Sequence, residues 1–475
     1  MAGRGAWRIV GAALATSGAI PAIALGLGSC HASPAPGSSP GDAGASSGPV
    51  TIGAVFSLTG GLSAQGMAMN QSVLVAMQQI NQVGILNGRQ VVFDVQDDTS
   101  DPSQSRLVVQ GLLAQGVAGV LGPLSSGEVQ NVQDLTYQAH VVEITATATS
   151  TVLSTDQPAP DRYLFRTAPP DYLQGHAIVK FIRDGIPAVV SDGGSGDAGV
   201  IGGVCKSIYI VYGNDAYGTD LESAVDSDFP EGGAGTQVLG TYPVPTTLQT
   251  EYTQGVDAVV AAHPDCLVLI AYSDVGPEFL RELGVAIAAD TTHDWSNFLV
   301  CGSDGEYDSN FIPNGQSDPS NPASPNATAG CYGTAPDTAP ATPEYAAFRA
   351  IWQQSYPGQE PPAYAANQYD AAMLLALAIQ SAGQATDGTG IRDGLRAVTT
   401  PMTDPPSTTY GPADFVDAVD AITKGIDIVY NGASGNCQFD PEGDVKTNYI
   451  VWQVQKQPDG TFAFVTVGEI PSSTL

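Results

Sequence analysis

Serine and threonine side chains cluster in two loops that follow neighbouring predicted strands. The first loop, of sequence GPLSSG, joins a strand to a helix and places Ser125 and Ser126 at the helix N-terminus. The second, Thr145–Ser150, has the sequence TATATS and contains Ala148 and Thr149. Hydroxyls and free N–H groups at a positive helix end bind carboxylates, although Ser at such a position also serves simply as a helix cap. Two such loops at adjacent strand ends predict a site that grips both oxygens of one carboxylate.

An acidic residue follows a strand predicted in the second half of the chain. Asp304 stands in the sequence Gly302-Ser303-Asp304-Gly305, where that strand gives way to a loop. A carboxylate that faces a cleft opposite hydroxyl donors pairs with an ammonium group. An Asp between Ser and Gly is also typical of an ordinary turn. If Asp304 faces the two hydroxyl loops, the three together form a site for a small zwitterion.

The order of the predicted elements decides where these loops lie. The first strands are predicted at Val50–Phe56, Val91–Gln96, Val117–Gly122 and Val141–Ile144. Helical periods separate them, in the stripe from Met67 to Ile80, in Ser103–Gln115 and in Ser126–Gln138. Alternation of this kind requires right-handed crossovers and a mostly parallel sheet that is covered on both faces.

A second series begins with a helix at Asp171. Its strands are predicted at Ser207–Tyr212, Thr236–Tyr242, Leu267–Tyr272 and Phe298–Gly302, and its helices at Leu221–Asp228, Tyr252–Ala262 and Gly276–Ala289. Two insertions, Ser191–Gly203 and Asn314–Gly330, enlarge this half. The sequence therefore predicts an α/β fold of two Rossmann-like lobes, with the ligand site beyond the carboxyl ends of the strands.

The N-terminus has the pattern of an export signal. Arg4 and Arg8 precede an apolar stretch that runs from Ile9 to Leu27, and small residues lead to Cys30 in the sequence Leu-Gly-Ser-Cys. This tetrad resembles a bacterial lipobox, so residues 1–30 are interpreted as a lipoprotein signal with Cys30 as the lipid attachment site. An ordinary cleavable signal or one membrane helix is the alternative. Residues 31–49, rich in Pro, Gly and Ser, are predicted to be a flexible tether.

Composition and motif content limit the classes of function. The formal net charge is −32 although only 13% of the residues are charged, which excludes nucleic acid as a natural partner. None of the five histidines lies in a strand-end loop beside a candidate nucleophile. No G-x-S-x-G elbow stands between a predicted strand and a predicted helix, and H-E-x-x-H does not occur. We therefore expect that the protein is not an enzyme and that it binds neither a cofactor nor a metal ion.

The cysteines that remain after Cys30 belong to an exported, oxidising setting. Cys205 and Cys266 each precede a predicted strand, and the starts of neighbouring parallel strands lie close enough for a bridge, so this pair is the first disulfide candidate. Cys301 with Cys331 is the second candidate, which leaves Cys437 unpaired. Spacing alone does not settle this connectivity.

Short motifs from Val50 to Gly468 resemble, in order, the leucine/isoleucine/valine-binding protein family, periplasmic type I solute-binding proteins of ABC transporters. The motifs are Thr51-Ile52-Gly53, Leu58-Thr59-Gly60, Asp97-Asp98 with Asp101-Pro102, the GPLSS loop, Ala148-Thr149-Ser150, Phe165-Arg166-Thr167, Tyr217-Gly218, Gly302-Ser303-Asp304-Gly305, Tyr369-Asp370-Ala371, Phe439-Asp440 and Gly443-Asp444. No motif is unique, but the ordered set is specific.

The resemblance implies roles for individual residues. Ser126, next to Ser125, and Thr149 would hold a ligand carboxylate, backbone groups near Ala148 would hold other polar atoms, and Asp304 would take the ammonium. Tyr217 and Tyr272 would line the side-chain pocket. Gln65 stands where many members have an aromatic residue, which leaves the ligand side chain open.

The resemblance also implies an architecture and a function. Lobe 1 is expected to comprise residues 50–170 and 336–430, and lobe 2 residues 171–335 and 431–475, joined by a multi-strand hinge. The expected function is capture of an amino acid by lobe closure and delivery to an ABC importer, by a monomer anchored to the bacterial cell envelope through lipid. A ligand-sensing receptor component, or a binder of amides or of small aromatic or aliphatic carboxylates, is the alternative.

Overall fold

The computed structural model describes residues 48–189, 199–230, 235–402 and 407–475. The predicted signal, Cys30 and residues 31–47 of the predicted tether lie outside these residues, as does most of the insertion predicted at Ser191–Gly203. Across the described ranges, no helix combines the length and the apolar character needed to cross a membrane.

The first sheet has five parallel strands in the order β2-β1-β3-β4-β5. They are β1 Val50–Phe56, β2 Val91–Asp97, β3 Val120–Leu121, β4 Glu143–Thr145 and β5 Leu164–Arg166. The connecting helices are α1 Ser63–Ile80, α2 Pro102–Gln115 and α3 Ser126–Ala139. This sheet and the helices packed on it are called lobe 1.

The second sheet has seven strands in the order β16-β15-β12-β11-β10-β8-β9. They are β8 Ser207–Gly213, β9 Gln237–Val244, β10 Cys266–Ile270, β11 Leu299–Gly302, β12 Tyr332–Pro336, β15 Tyr449–Lys456 and β16 Phe462–Ile470. Only β15 and β16 run antiparallel to their neighbours. Its helices are α4 Asp171–Val179, α5 Ala216–Asp228, α6 Thr253–Ala262, α7 Gly276–Ala289 and α8 Phe311–Gly315. A short antiparallel pair, β6 Ile186–Pro187 and β7 Val200–Ile201, also belongs to this part, called lobe 2.

The chain returns to lobe 1 after β12. This return consists of α9 Pro343–Ser355, α10 Ala365–Ala382, α11 Gly388–Thr399, α12 Phe415–Thr423 and the parallel pair β13 Thr408–Tyr410 and β14 Ile428–Tyr430. Helix α10 is buried on nearly every face, which explains why its sequence is apolar without a clear stripe. The predicted α/β fold of two lobes with mostly parallel sheets is confirmed.

Three segments connect the lobes. One follows β5, one follows β12, and one precedes β15, and the last two are joined by a hydrogen bond from the Asp337 N–H to the Asn448 carbonyl. The segment after Tyr430 differs from the expected boundary. Ala433 and Cys437 pack in the core of lobe 1, so the chain crosses after them rather than at residue 431.

The two faces of the second sheet determine which cysteines lie close enough to pair. Cys205 and Cys266 form a disulfide, as the sequence predicted. The second predicted pair does not form, and Cys301 and Cys331 are free buried thiols, as is Cys437. Cys301 is in register with Tyr332, so Cys331 points to the opposite face of the sheet, because successive side chains of a strand alternate. The two thiols accordingly belong to different cores.

Candidate ligand site between the lobes

Most of the predicted site residues line one cleft, called the interlobe cleft. Loops after β1, β3 and β4 of lobe 1 meet loops after β8, β10 and β11 of lobe 2, as expected for the carboxyl ends of parallel strands. Its free volume, the open mouth included, is about 520 Å³. Its lining includes Gln65, Ser125, Ser126, Thr147, Tyr217, Tyr272, Asp304 and Asp308.

The N-terminus of α3 forms the lobe 1 side of the cleft. Ser125 caps this helix: its hydroxyl accepts the Glu128 N–H, and the Glu128 carboxylate accepts the Ser125 N–H. Ser126 Oγ accepts the N–H groups of Thr149 and Ser150 at 3.2 and 3.1 Å. Because the Ser126 hydroxyl acts as the acceptor in both bonds, its own proton stays available for a ligand oxygen.

Ala148 and Thr149 lie behind the cleft wall rather than in it. Thr147 lines the cleft at this point, and its hydroxyl donates to the Leu124 carbonyl at 2.6 Å. The Ala148 N–H donates to Thr145 Oγ1 at 3.3 Å, so it is engaged within lobe 1. The Thr149 hydroxyl is buried and has no hydrogen-bond partner among the described residues. The Ser150 hydroxyl, in the same loop, is likewise buried and unpartnered among the described residues.

Asp304 lies on the lobe 2 side and is held by two phenols. The Tyr217 hydroxyl donates to its Oδ1 at 2.6 Å, and the Tyr364 hydroxyl donates to its Oδ2 at 2.5 Å. Tyr364 immediately precedes α10 in lobe 1, so its bond to Asp304 joins the two lobes. Burial raises the pKa of Asp304, and the two phenol hydrogen bonds oppose this shift in part.

Two stacked tyrosines form the aromatic wall of the cleft. The rings of Tyr217 and Tyr272 lie 5.7 Å apart between centroids, with 28° between their planes. The Tyr272 hydroxyl donates to Asp215 Oδ2 at 2.7 Å, and Asp215 caps α5 through the Gly218 N–H. The tyrosines are thus fixed by hydrogen bonds at their polar ends while their faces remain free to contact a ligand.

A buried carboxyl pair supports α3 from inside lobe 1. Glu128 and Asp98 are both fully buried, and Ser57 donates to Glu128 at 3.4 Å. Burial, together with the negative charge of Asp98, raises the pKa of Glu128 to about 7. Burial also raises the pKa of Asp98. Glu128, whose carboxylate accepts the Ser125 N–H at the start of α3, therefore changes charge near neutral pH.

A buried ion pair supports the second loop. Arg166 pairs with Asp444 at 2.6 Å, and both side chains are almost completely buried. Arg166 also donates to the Ser150 carbonyl at 2.7 Å and to the Ala148 carbonyl at 3.4 Å. The pair therefore ties the loop behind the cleft to the third connection between the lobes.

Several cleft residues were not predicted from the sequence. Tyr364, Thr147 and Asp308 line or close the site, and Asp171 lies behind Asp304. Thr147 could have been predicted, because it belongs to the second loop. Arg166 and Asp444 occurred in the family motifs without an assigned role. Nothing in the local sequence of Tyr364 or Asp171 indicates that either reaches the cleft.

Comparison with known proteins identifies the family. A family model described as "Periplasmic binding protein" matches residues 49–425. The chain belongs to the periplasmic binding protein family. Proteins of this family are extracytoplasmic solute-binding proteins of ABC-type transport systems, not enzymes. The resemblance noted in the sequence is therefore confirmed.

Individual periplasmic binding proteins show how far the similarity extends. The Leu/Ile/Val-binding protein BraC3 of Rhizobium johnstonii is 24% identical over 73% of this chain and 83% of its own length. An uncharacterized protein of Methanocaldococcus jannaschii, MJ1266, is 31% identical, but the chain matches only 39% of its length.

Two solved structures share the fold. A leucine-binding protein of Thermotoga maritima aligns over 90% of this chain and 100% of its own, with 20% identity and a TM-score of 0.67. A solute-binding protein of Rhodopseudomonas palustris, solved with 3,4-dihydroxybenzoic acid, aligns over 89% of this chain and 98% of its own, with 17% identity and a TM-score of 0.65.

Proposed function

We propose that this periplasmic binding protein captures a small amino-acid-like zwitterion by lobe closure and delivers it to an ABC importer. The observation that carries the proposal is the position of Asp304 on lobe 2, across the interlobe cleft from the Ser126 hydroxyl and the N-terminus of α3 on lobe 1. The two ends of an amino acid have opposite charges, and the two walls of the cleft offer groups that match them.

Lobe 1 is assigned the ligand carboxylate. The Ser126 proton and the helix N-terminus supply hydrogen-bond donors and positive potential, and Thr149, whose N–H donates to Ser126 Oγ, lies next to them. Lobe 2 is assigned the ammonium, through Asp304. The stacked Tyr217 and Tyr272 rings, with Gln65 opposite, would contact the ligand side chain.

Binding of an acid without an ammonium is the second candidate, and the neighbour solved with 3,4-dihydroxybenzoic acid favours it. Asp304 argues against it in this chain. A ligand without a cation would bring its own negative charge close to a buried carboxylate whose side-chain hydrogen-bond donors, Tyr217, Tyr364 and Gln174, are all neutral. Leaving a charged group buried without a countercharge costs several kcal/mol.

Closure follows from the division of the ligand contacts between the lobes. A ligand held first by lobe 1 gains the Asp304 contacts only when the lobes approach, so its extra affinity for the closed state shifts the population toward closure. Attachment of Cys30 to lipid would keep the closed monomer near its importer in the cell envelope.

A thermal-shift screen tests this proposal. We would compare amino acids, their deaminated acids, their amides and aromatic acids against the wild type and Asp304→Asn. A ligand at 100 times its dissociation constant adds about 2.7 kcal/mol of stability. The proposal predicts shifts for amino acids in the wild type only. Shifts from aromatic acids alone, or no shift from any amino acid, would refute it.

A further inference from the structure

The charged residues that line the cleft all have the same sign. Three adjoining cavities make up the cleft and its two mouths, and Asp215, Asp274, Asp304 and Asp308 line them. No Lys, Arg or His is found among the described residues that line these cavities. All four acids belong to lobe 2, while lobe 1 contributes hydroxyls and a helix N-terminus.

A further buried carboxyl group, that of Asp171, lies close to Asp304. Asp171 is completely buried, and no hydrogen bond of standard geometry reaches its oxygens from the described residues, although the Thr149 hydroxyl nearby opposes the rise of its pKa. It lies near enough to Asp304 for the two charges to repel, which adds to the burial that raises the pKa of Asp171. Arg166, the basic group that acts on Asp171, already pairs with Asp444. Because burial without a countercharge favours the neutral form of a carboxyl group, the negative charge of the cleft is assigned to the four acids that line it.

A carboxylate oxygen without a hydrogen-bond partner in the described part of the chain also lies at one mouth of the cleft, on Asp274. Oδ1 of Asp274 is buried and unpartnered among the described residues, and Asp274 faces Gly61 of lobe 1. Asp308 lies close to Asp274, and its Oδ1 accepts the Ser273 hydroxyl at 2.9 Å. Because Ser273 and Asp308 both line the interlobe cleft, Asp308 lies along the path that a side chain would follow outward from Asp304.

We propose that the ligand is a basic amino acid, whose side-chain cation binds at Asp274 and Asp308 while its α-ammonium binds at Asp304. This inference rests on the proposed function, since it requires an amino acid in the cleft. The apolar stem of such a side chain would lie along the Tyr217 and Tyr272 rings, and an ammonium or guanidinium group also gains from contact with aromatic faces.

Matched ligand pairs test the inference by isothermal titration calorimetry. L-Lysine is compared with L-norleucine, and L-arginine with L-citrulline, because each pair differs in the terminal charge at similar length. Lysine should bind about tenfold tighter than norleucine, or more, since a charge-assisted hydrogen bond is gained. In Asp274→Asn/Asp308→Asn, that ratio should fall to within about threefold.

The control variant is Asp226→Asn, an exposed change on α5 that should leave the lysine-to-norleucine ratio at its wild-type value. The single variant Asp274→Asn provides a second test if the double variant unfolds, because Asp274 Oδ1 makes no hydrogen bond within the described chain. Norleucine binding as tightly as lysine in the wild type overturns the inference but leaves amino-acid capture intact. Failure of all four amino acids to bind overturns the inference, and it overturns the proposed function as well only if no other amino acid gives a thermal shift.

Discussion

The Tyr364 hydroxyl of lobe 1 lies 2.5 Å from Oδ2 of Asp304 in lobe 2. This hydrogen bond crosses the cleft and ends on the carboxylate that we assign to the ligand ammonium. Tyr364 therefore links the two lobes at the acidic side of the site and orients Asp304, and we expect this bond to break when the lobes separate.

Replacement of Tyr364 by Phe tests this connection. Loss of one charge-assisted hydrogen bond should weaken amino-acid binding by about tenfold and favour the open form. Small-angle scattering of the ligand-free protein should then give a larger radius of gyration than the wild type. Tyr356→Phe, where the ring packs on Trp352 in the same lobe, is the matched control. Unchanged affinity and radius in Tyr364→Phe would show that the bond has no part in closure.

The Arg166–Asp444 pair is predicted to be a major determinant of stability. Asp444→Asn leaves the buried Arg166 without its countercharge and should lower the free energy of unfolding by about 3–5 kcal/mol in urea. The double variant Arg166→Met/Asp444→Leu should recover much of this loss, because both charges are then removed. Glu360→Gln, at the exposed Arg349–Glu360 pair, should leave the free energy of unfolding almost unchanged, because solvent screens that pair. Equal costs for the buried and the exposed variants would contradict this assignment.

Glu143 should make the protein less stable as the pH rises. Burial raises the pKa of Glu143 from 4.5 to about 8, so the folded state retains a proton that the unfolded chain releases. The resulting stabilisation is complete below pH 4.5 and is lost as the pH rises through 8. Urea unfolding at pH 5 and pH 8 should therefore show a smaller loss of stability in Glu143→Gln than in the wild type. Exposed Glu469→Gln should behave as the wild type does, and the same slope in all three proteins would disprove the assignment.

Thiol counting tests the cysteine arrangement. Three thiols, those of Cys301, Cys331 and Cys437, should react in the unfolded, unreduced chain from residue 48 onward. In the native protein they should react slowly, because they are buried and the pKa of Cys331 is raised to about 12. A single reactive thiol after unfolding would instead indicate a Cys301–Cys331 disulfide.

Local patterns were sufficient to predict the fold and the helix N-terminus at Ser125 and Ser126. Strand β1 and helix α7 have the predicted bounds, because each is a long periodic segment with clear ends. Ser125 follows a strand and precedes a helix, so its capping role could be derived from position alone. Cys205 and Cys266 could be paired because both precede strands that turn out to be adjacent.

Contacts that depend on tertiary structure could not be derived in this way. Strand β12 was not predicted, so the alternation that places Cys331 on the face opposite Cys301 could not be applied. Tyr364 reaches Asp304 from the other lobe, across 60 residues of sequence. The oxygens of Asp171 have no hydrogen bond of standard geometry among the described residues. This follows from the tertiary structure around them, and no local sequence pattern encodes it.

Calorimetric titration with an amino acid and its deaminated analogue tests the central claim most directly. We would titrate L-lysine against 6-aminohexanoate and L-leucine against 4-methylpentanoate, in the wild type and in Asp304→Asn. The account predicts that the amino acid of at least one pair binds the wild type at least about tenfold tighter than its analogue, and that Asp304→Asn abolishes the difference. Equal affinity for both members of each pair in the wild type would contradict it.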